Sequence, residues 1–280
     1  MNSRLTLVQG FFAALVLGLA SNAMAGSLFI AADTEDFAGI LPDRLGVWDV
    51  SGTTVNSSMI INTPFHLNGL ADAGGKLLTG NPLDNTLRYV GFDGSDLGSF
   101  TAAGVQNEAY NEELLFVPQP AGPAKIYHAH YDGSAADIRE IDTAGNLIQL
   151  FDQTDVVGMA LAGTDIWISK WGGRQVGIWD PTTNTFTSQF STPANAGGLA
   201  YDPVNKIMWV GLQGGFVAPY ALDGTSLGAG FQPFGNIPDT IDGLTFRGEV
   251  TPIPEPGTAT LLLAGLVGLG ILGTRRNRAS

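Results

Sequence analysis

Short apolar runs alternate along most of this chain with turns rich in Gly, Asn, Asp and Pro, and few stretches show helical periodicity before the C-terminal tail. That pattern predicts an all-β body. The runs group in fours. The clearest group covers 156–162, 165–170, 175–180 and 185–190, and the next covers 198–202, 206–212, 216–223 and 226–231. An earlier group covers 69–72, 76–80, 86–93 and 97–101, and a fourth covers 113–119, 125–131, 136–142 and 146–151. Three runs are left over at the N-terminal end, 27–33, 44–49 and 57–62, and one at the C-terminal end, 243–247.

The groups carry a repeated signature. An apolar residue is followed by Asp and small turn residues at Trp48-Asp49, Phe92-Asp93-Gly94, Ile141-Asp142, Trp179-Asp180 and Leu222-Asp223-Gly224. These aspartates lie 44, 49, 38 and 43 residues apart. Asp caps its own turn and Gly accepts positive φ, which suits both to tight hairpins. A second element, Gly-Leu-Ala or a close variant, recurs at Gly69, Gly158, Gly198 and Gly243 and would let an inner strand approach a crowded axis. The group at 113–151 lacks it. A period of about 40–50 residues with four strands per unit is the pattern of a β-propeller. Pairing the three leftover N-terminal runs with the C-terminal one makes a fifth unit and closes the ring without a covalent bond. The expected fold is a five-bladed β-propeller over residues 26–247, with six blades or an irregular propeller as the alternatives. The two Trp-Asp dipeptides resemble those of WD40 repeats, but the Gly-His partner of that family is missing and the assignment is not made.

The ends of the chain follow a different pattern. Residues 1–25 hold Arg4, an apolar run over 11–20 and the small-x-small site Ala23-Met24-Ala25. They predict a secretory signal peptide cut after Ala25, handled by the Sec translocon and signal peptidase. At the other end a proline-rich linker, 248–256, precedes an uncharged apolar run over 257–274 and then Arg275, Arg276 and Arg278. As a helix that run is long enough to span a bilayer core, and the arginines keep its C-terminal side in the cytoplasm. With Pro254-Glu255-Pro256 in front, the segment 254–280 resembles the PEP-CTERM sorting signal of Gram-negative bacteria. The resemblance covers only the tail. It implies processing by an exosortase-type enzyme near the tripeptide. It also implies a route from a transient inner-membrane stage to the cell envelope, outer surface or extracellular matrix.

Charge and cysteine content narrow the body's chemistry. The formal charge is −13, and setting aside Arg4, Arg275, Arg276 and Arg278 leaves 9 of the 13 basic residues against 26 acidic ones, about −17 for the exported part. Such a surface repels nucleic acid and anionic lipid. The chain has no cysteine, which excludes disulfide staples, thiolate metal sites and cysteine nucleophiles.

In an up-and-down propeller, loops joining second to third strands share one rim with loops that enter each blade. That rim carries Asp33, Glu35, Asp36, Asp43, Asp84, Asp152, Asp155, Lys170, Trp171, Arg174, Asp239 and Asp242. Its longest loop, about 33–43, holds Asp33, Glu35 and Asp36. Clustered carboxylates suit Ca²⁺, although no Asp-x-Asp-x-Asp-Gly loop is present and solvated surface acids are the preferred reading. No other cofactor is expected. Lys170-Trp171-Gly172-Gly173-Arg174 pairs a flat aromatic with two cations and could stack on a sugar while holding an anionic group. The alternative is Trp171 packed on the blade edge with solvated charges. Of the three histidines, His66, His128 and His130, the last two alternate on one strand, with Tyr127 and Tyr131 on its other face. A metal or acid–base pair is conceivable there, but a structural pair is preferred.

The reading is an exported propeller binding module whose partner is exopolysaccharide or another surface component. Asp33, Glu35, Asp36, Lys170, Trp171 and Arg174 are its candidate contacts, and no residue is assigned to catalysis. The alternatives are a propeller lyase or hydrolase acting on envelope polymers or small lactones, and a structural matrix protein without a discrete ligand.

Overall fold

The structure is a computed structural model, and it describes residues 26–32, 43–81, 85–103, 111–130, 137–235 and 240–247. Three strands open the chain: β1 (Gly26–Ala32), β2 (Asp43–Ser51) and β3 (Thr54–Thr63). The next blade holds β4 (Asn68–Asp72), β5 (Leu77–Gly80), β6 (Thr86–Val90) and β7 (Asp96–Thr101). It is followed by β8 (Asn111–Val117), β9 (Lys125–His130), β10 (Asp137–Asp142) and β11 (Leu147–Asp152). Then come β12 (Val156–Ala162), β13 (Asp165–Lys170), β14 (Gln175–Asp180) and β15 (Thr185–Ser191). The last blade has β16 (Ala196–Asp202), β17 (Ile207–Leu212) and β18 (Phe216–Ala221), and β19 (Gly243–Phe246) ends the described chain.

These strands make five antiparallel sheets, and the protein is an all-β, five-bladed propeller. We number the blades I to V, blade I being the sheet β19-β1-β2-β3. The three-plus-one split expected from the leftover runs is therefore what closes the ring: Leu28, Phe29, Ile30 and Ala31 pair with Phe246, Thr245, Leu244 and Gly243. The inner strands meet in a cycle, β19 beside β4, β4 beside β8, β8 beside β12, β12 beside β16 and β16 beside β19.

Burial follows distance from the axis. The inner strands β4, β16 and β19 are buried at every position, whereas the outer strands β7 and β11 are almost wholly exposed. An inner strand is covered on both faces by neighbouring blades and on its edge by the axis, so it reads as a continuous apolar or small-residue run. The core is accordingly split into five clusters, one between each pair of adjacent blades. Between blades III and IV, for example, Trp179 meets Phe151 edge-on with ring centres 4.9 Å apart and Tyr127 at 5.5 Å.

The fourth strand expected in blade V over 226–231 does not form. Only two isolated bridges remain there, Val217↔Phe231 and Tyr220↔Ser226. Pro219 explains part of this. Its carbonyl accepts from Leu227 on the outer edge of β18 at 3.0 Å, but on that same edge it has no N–H to donate. The facing segment Gly228-Ala229-Gly230 adds a left-handed φ of 74° at Gly230, which breaks the pleat.

The apolar run 257–274 lies outside the described residues, and among those described no helix is long and apolar enough to cross a membrane.

Candidate functional site

Strand direction alternates across each blade. Hairpins joining first to second and third to fourth strands therefore lie at one end of the ring. Loops joining second to third strands, and those entering each blade, lie at the other. The recurrent aspartates fall at the first end and cap turns, as their spacing suggests. Asp142 accepts from Ala144 N at 2.8 Å and Asn146 N at 2.8 Å, Asp180 from Thr182 N at 2.8 Å, and Asp223 from Thr225 N at 2.9 Å. Asp202 does the same for Val204 and Asn205 at 2.9 and 3.0 Å. Hydrogen bonds hold several of these carboxyls below the usual range: from the Ser95 side chain at Asp93, the Asn146 side chain at Asp142, and backbone N–H groups at Asp180 and Asp223. These acids are occupied by their own turns.

At the opposite end, the rim, the structure describes Asp43, Asp152, Asp155, Lys170, Trp171, Arg174 and Asp242. Asp33, Glu35, Asp36, Asp84 and Asp239 lie outside the described residues, as do Ala25 and the tail residues Pro254, Glu255, Pro256, Arg275, Arg276 and Arg278. The hairpin from Lys170 to Arg174 is pinned to its surroundings. Trp171 N donates to Asp155 O at 2.9 Å, Arg174 N to Trp171 O at 3.2 Å and Thr192 N to Arg174 O at 2.8 Å. Arg174 takes a left-handed φ of 52°, and its guanidinium reaches Pro193 O at 3.1 Å. Its side chain is exposed and Trp171 is half-buried. Lys170 turns away from them, with its ammonium 5.0 Å from the centre of the Phe186 ring. Burial pushes its pKa down, while the charges of Asp155 and Asp152 push it back up. The hairpin thus carries Trp171 and Arg174 on one hydrogen-bonded turn and places the Lys170 ammonium by Phe186 in the seam between blades III and IV.

A second rim pair was not visible in the sequence. Asp43 begins β2 and is buried; one carboxylate oxygen accepts Leu67 N at 2.7 Å and the other lies 3.5 Å from His66 Nδ1. Asp43 thereby faces one ring nitrogen of a partly exposed histidine and leaves Nε2 on the far side of the ring. This is the orientation a histidine needs for proton transfer at Nε2.

On the axis the structure places Glu113, where the other inner strands carry the glycine of the repeated element. Its side chain is fully buried. One carboxylate oxygen accepts Leu70 N from blade II at 2.7 Å and its neighbour Leu114 N at 3.0 Å; the other accepts Leu244 N from blade I at 3.3 Å. Gly198 of blade V completes the fit, because a Cβ there would stand 2.8 Å from the Glu113 carboxylate and collide with the Asp242 carbonyl. Glu113 is the axial hub that the repeat pattern left unassigned.

His128 and His130 are both buried on the face of blade III that packs against blade II. Both ring nitrogens of His128 lack a hydrogen-bond partner among the described residues. Burial first, then the charges of Arg139 and His130, lowers its pKa from 6.5 to about 3. Such a group stays neutral and makes a poor base. In the unfolded chain it takes up a proton near 6.5, so between 6.5 and about 3 the unfolded state binds more protons than the folded one. Stability is therefore full above about 6.5 and falls as the pH drops towards 3, by up to about 1.4 kcal/mol per pH unit. His128→Leu should flatten that slope in urea titrations between pH 7 and 4; an unchanged slope would refute it.

Among the described residues no group of three or more His, Asp or Glu could hold a metal ion. Gly224-Thr225-Ser226-Leu227-Gly228 has the spacing of a serine nucleophile elbow. The structure gives it no such role. It follows β18 as an irregular edge with no helix after it among the described residues, and Ser226 Oγ donates to Gly228 O at 3.2 Å.

The class of protein is thus a five-bladed propeller with a sorting tail. Residues 252–278 match the PEP-CTERM protein-sorting motif. The motif marks the chain as an exosortase substrate, exported and sorted to the cell surface. No curated protein matches the chain. Among solved structures it is similar to a protein of unknown function from Bacteroides caccae, at 10% identity over 74% of this chain and 73% of that one, with a TM-score of 0.44. A likeness at that level carries no function across.

Proposed function

We propose that the propeller is a non-enzymatic binding module, delivered to the outer surface or matrix by its tail, and that it contacts exopolysaccharide there through its rim. The observation that supports this reading is the Trp171–Arg174 hairpin. The half-buried Trp171 and the exposed Arg174 stand on one turn whose backbone is already fixed by hydrogen bonds, so little backbone entropy is lost when they engage a sugar and an anionic substituent. The acidic remainder of the surface disfavours binding polyanions elsewhere.

The test uses residues 26–252, which include every described strand. The host's own exopolysaccharide should raise the melting temperature, because a ligand that binds only the folded state stabilises it. Trp171→Ala combined with Arg174→Ala should abolish the shift and leave the unliganded melting temperature nearly unchanged. Retention of the full shift in the double variant would sink the rim assignment. Ca²⁺ belongs in the same screen, since the sequence clusters the carboxylates of Asp33, Glu35 and Asp36 within four residues.

The Asp43–His66 pair favours a second reading, a propeller lyase or hydrolase. In that case the wild type cleaves the polymer and His66→Gln does not; absence of cleavage by the wild type rejects it.

A further inference from the structure

The outer strands β3, β7, β11 and β15 each end a sheet, so one edge of each is unpaired among the described strands. Such an edge offers backbone N–H and C=O groups to any other strand, and proteins ordinarily block it with charge, Pro or a break in the pleat. Blade II does so: on β7, Asp96 pairs with Arg88 and Gly98 takes a left-handed φ of 100°. On β15 every exposed residue is Thr, Ser or Gln, and on β3 the exposed Met59 and Ile60 stand between Ser58 and Asn62. β11 of blade III has no such device over most of its length. Its segment Leu147-Ile148-Gln149-Leu150-Phe151 holds no charge, Pro or Gly. Leu147, Ile148 and Leu150 are 38%, 56% and 54% exposed. Side chains alternate along a strand, so Ile148 and Leu150 share the face opposite the buried Phe151. An uncharged, β-prone window of about this length on an open edge is a strand-pairing site.

The order of residues on this edge says what covers it. Two copies that continue one sheet about a two-fold axis pair antiparallel, and one residue must lie opposite itself. With Gln149 at that centre, Ile148 meets Leu150 twice, Leu147 meets Phe151 twice and the two Gln149 amides meet each other. Asp152, the strand's one charge, then falls opposite Asn146 and not opposite a second carboxylate. Moving the centre to Ile148 or Leu150 sets Gln149 against Leu147 or Phe151, so only the central register matches like with like throughout the segment. The ladder stops at Phe151, because Asp152 O already faces the Asn184 amide of blade IV at 3.4 Å. We propose that the outer edge of β11 is a self-association surface, on which a second copy of this chain adds its own β11 antiparallel, centred on Gln149. The two blades III then form one eight-stranded sheet, with Ile148 and Leu150 of both copies covering one another on one face. An edge of five residues is a small interface, so the dimer is weak and forms at high local concentration. The surface is separate from the Trp171–Arg174 hairpin and stands independently of the rim reading.

The test is sedimentation equilibrium of residues 26–252 at about 1 mM in about 0.5 M salt, which screens the repulsion between two acidic chains. Any dimer with a dissociation constant of about 1 mM or tighter then holds at least half of the chains. The wild type should dimerise under these conditions and return to monomer on dilution. Ile148→Lys and Leu150→Glu each place a charge on the shared apolar face from a position more than half exposed. Each should remain monomeric with the melting temperature of the wild type. Mixed in equal amounts, the two should dimerise again, because position 148 of one chain faces position 150 of the other, lysine against glutamate. Gln149→Lys sets two lysines opposite one another and should also stay monomeric; it replaces either variant that fails to fold. Trp171→Ala with Arg174→Ala should leave the dimer intact, so failure of the rim reading and failure of this one give different results. A wild type that stays monomeric at about 1 mM, a dimer that survives Ile148→Lys, or single variants that do not pair on mixing overturns the proposal.

Discussion

Glu113→Ala lowers the stability of the propeller by about 3–5 kcal/mol in urea unfolding, whereas Glu113→Gln lowers it by about 1–2 kcal/mol. The reason is the set of groups the carboxylate serves. Leu70, Leu114 and Leu244 each point a backbone N–H at it, at 2.7, 3.0 and 3.3 Å, from the inner strands of blades II, III and I. These strands are buried, so alanine strands donors that water cannot reach, and a buried unsatisfied donor costs about 1–3 kcal/mol. Glutamine keeps one oxygen for the two shorter bonds and turns an NH₂ towards Leu244, losing only the longest. Other blades place glycine at this column, so a comparison of repeats alone would recommend a small residue here. Equal stability of the alanine variant and wild type would show that the three bonds contribute nothing net.

How far the sequence reveals this molecule depends on the range over which each feature is decided. The hairpin aspartates are local, since Asp142 and Asn146 satisfy one another within a single turn, and composition alone announces them. The ring closure was legible by counting strands, because three at one end and one at the other leave a single way to finish a sheet. Glu113 was not legible. Its partners lie 43 and 131 residues away, and the only local trace was the missing glycine in the fourth group. The Asp43–His66 contact likewise spans the β2–β3 hairpin and belongs to no motif. The misread strand over 226–231 shows the reverse error. Its own residues pass for a strand, but the neighbour it would pair with carries Pro219, and a ladder depends on both sides.

The seam between the ring and its tail yields the second large effect: a chain ending at residue 242 does not form the propeller. Four residues of β1, Leu28 to Ala31, then lose their partners in β19 and present an open inner edge. Leu244 and Phe246, 0% and 2% exposed, leave the cluster between blades V and I. Each such side chain contributes about 1.5–3 kcal/mol by burial. The loss extends to the axis, where Thr245 Oγ1 accepts Asp72 N at 3.0 Å and Leu244 N reaches Glu113. Together these approach the whole stability of an ordinary domain, about 5–15 kcal/mol. Residues 26–242 should therefore show no cooperative melt and rapid proteolysis, where 26–252 melts cooperatively. The single change Phe246→Ala should cost about 3–5 kcal/mol. A peptide covering 240–253, added in excess to the truncated chain, should restore the melt, since β19 joins the ring without a covalent link to β1. The sorting motif begins at residue 252, a few residues beyond β19. A protease site engineered after residue 250 should release the tail with the melting temperature unchanged, whereas one within 243–247 should unfold the product on cleavage. A truncated chain that melts like the full ring would mean that four blades and an open fifth suffice, and would remove the constraint that β19 places on where the tail can be cut.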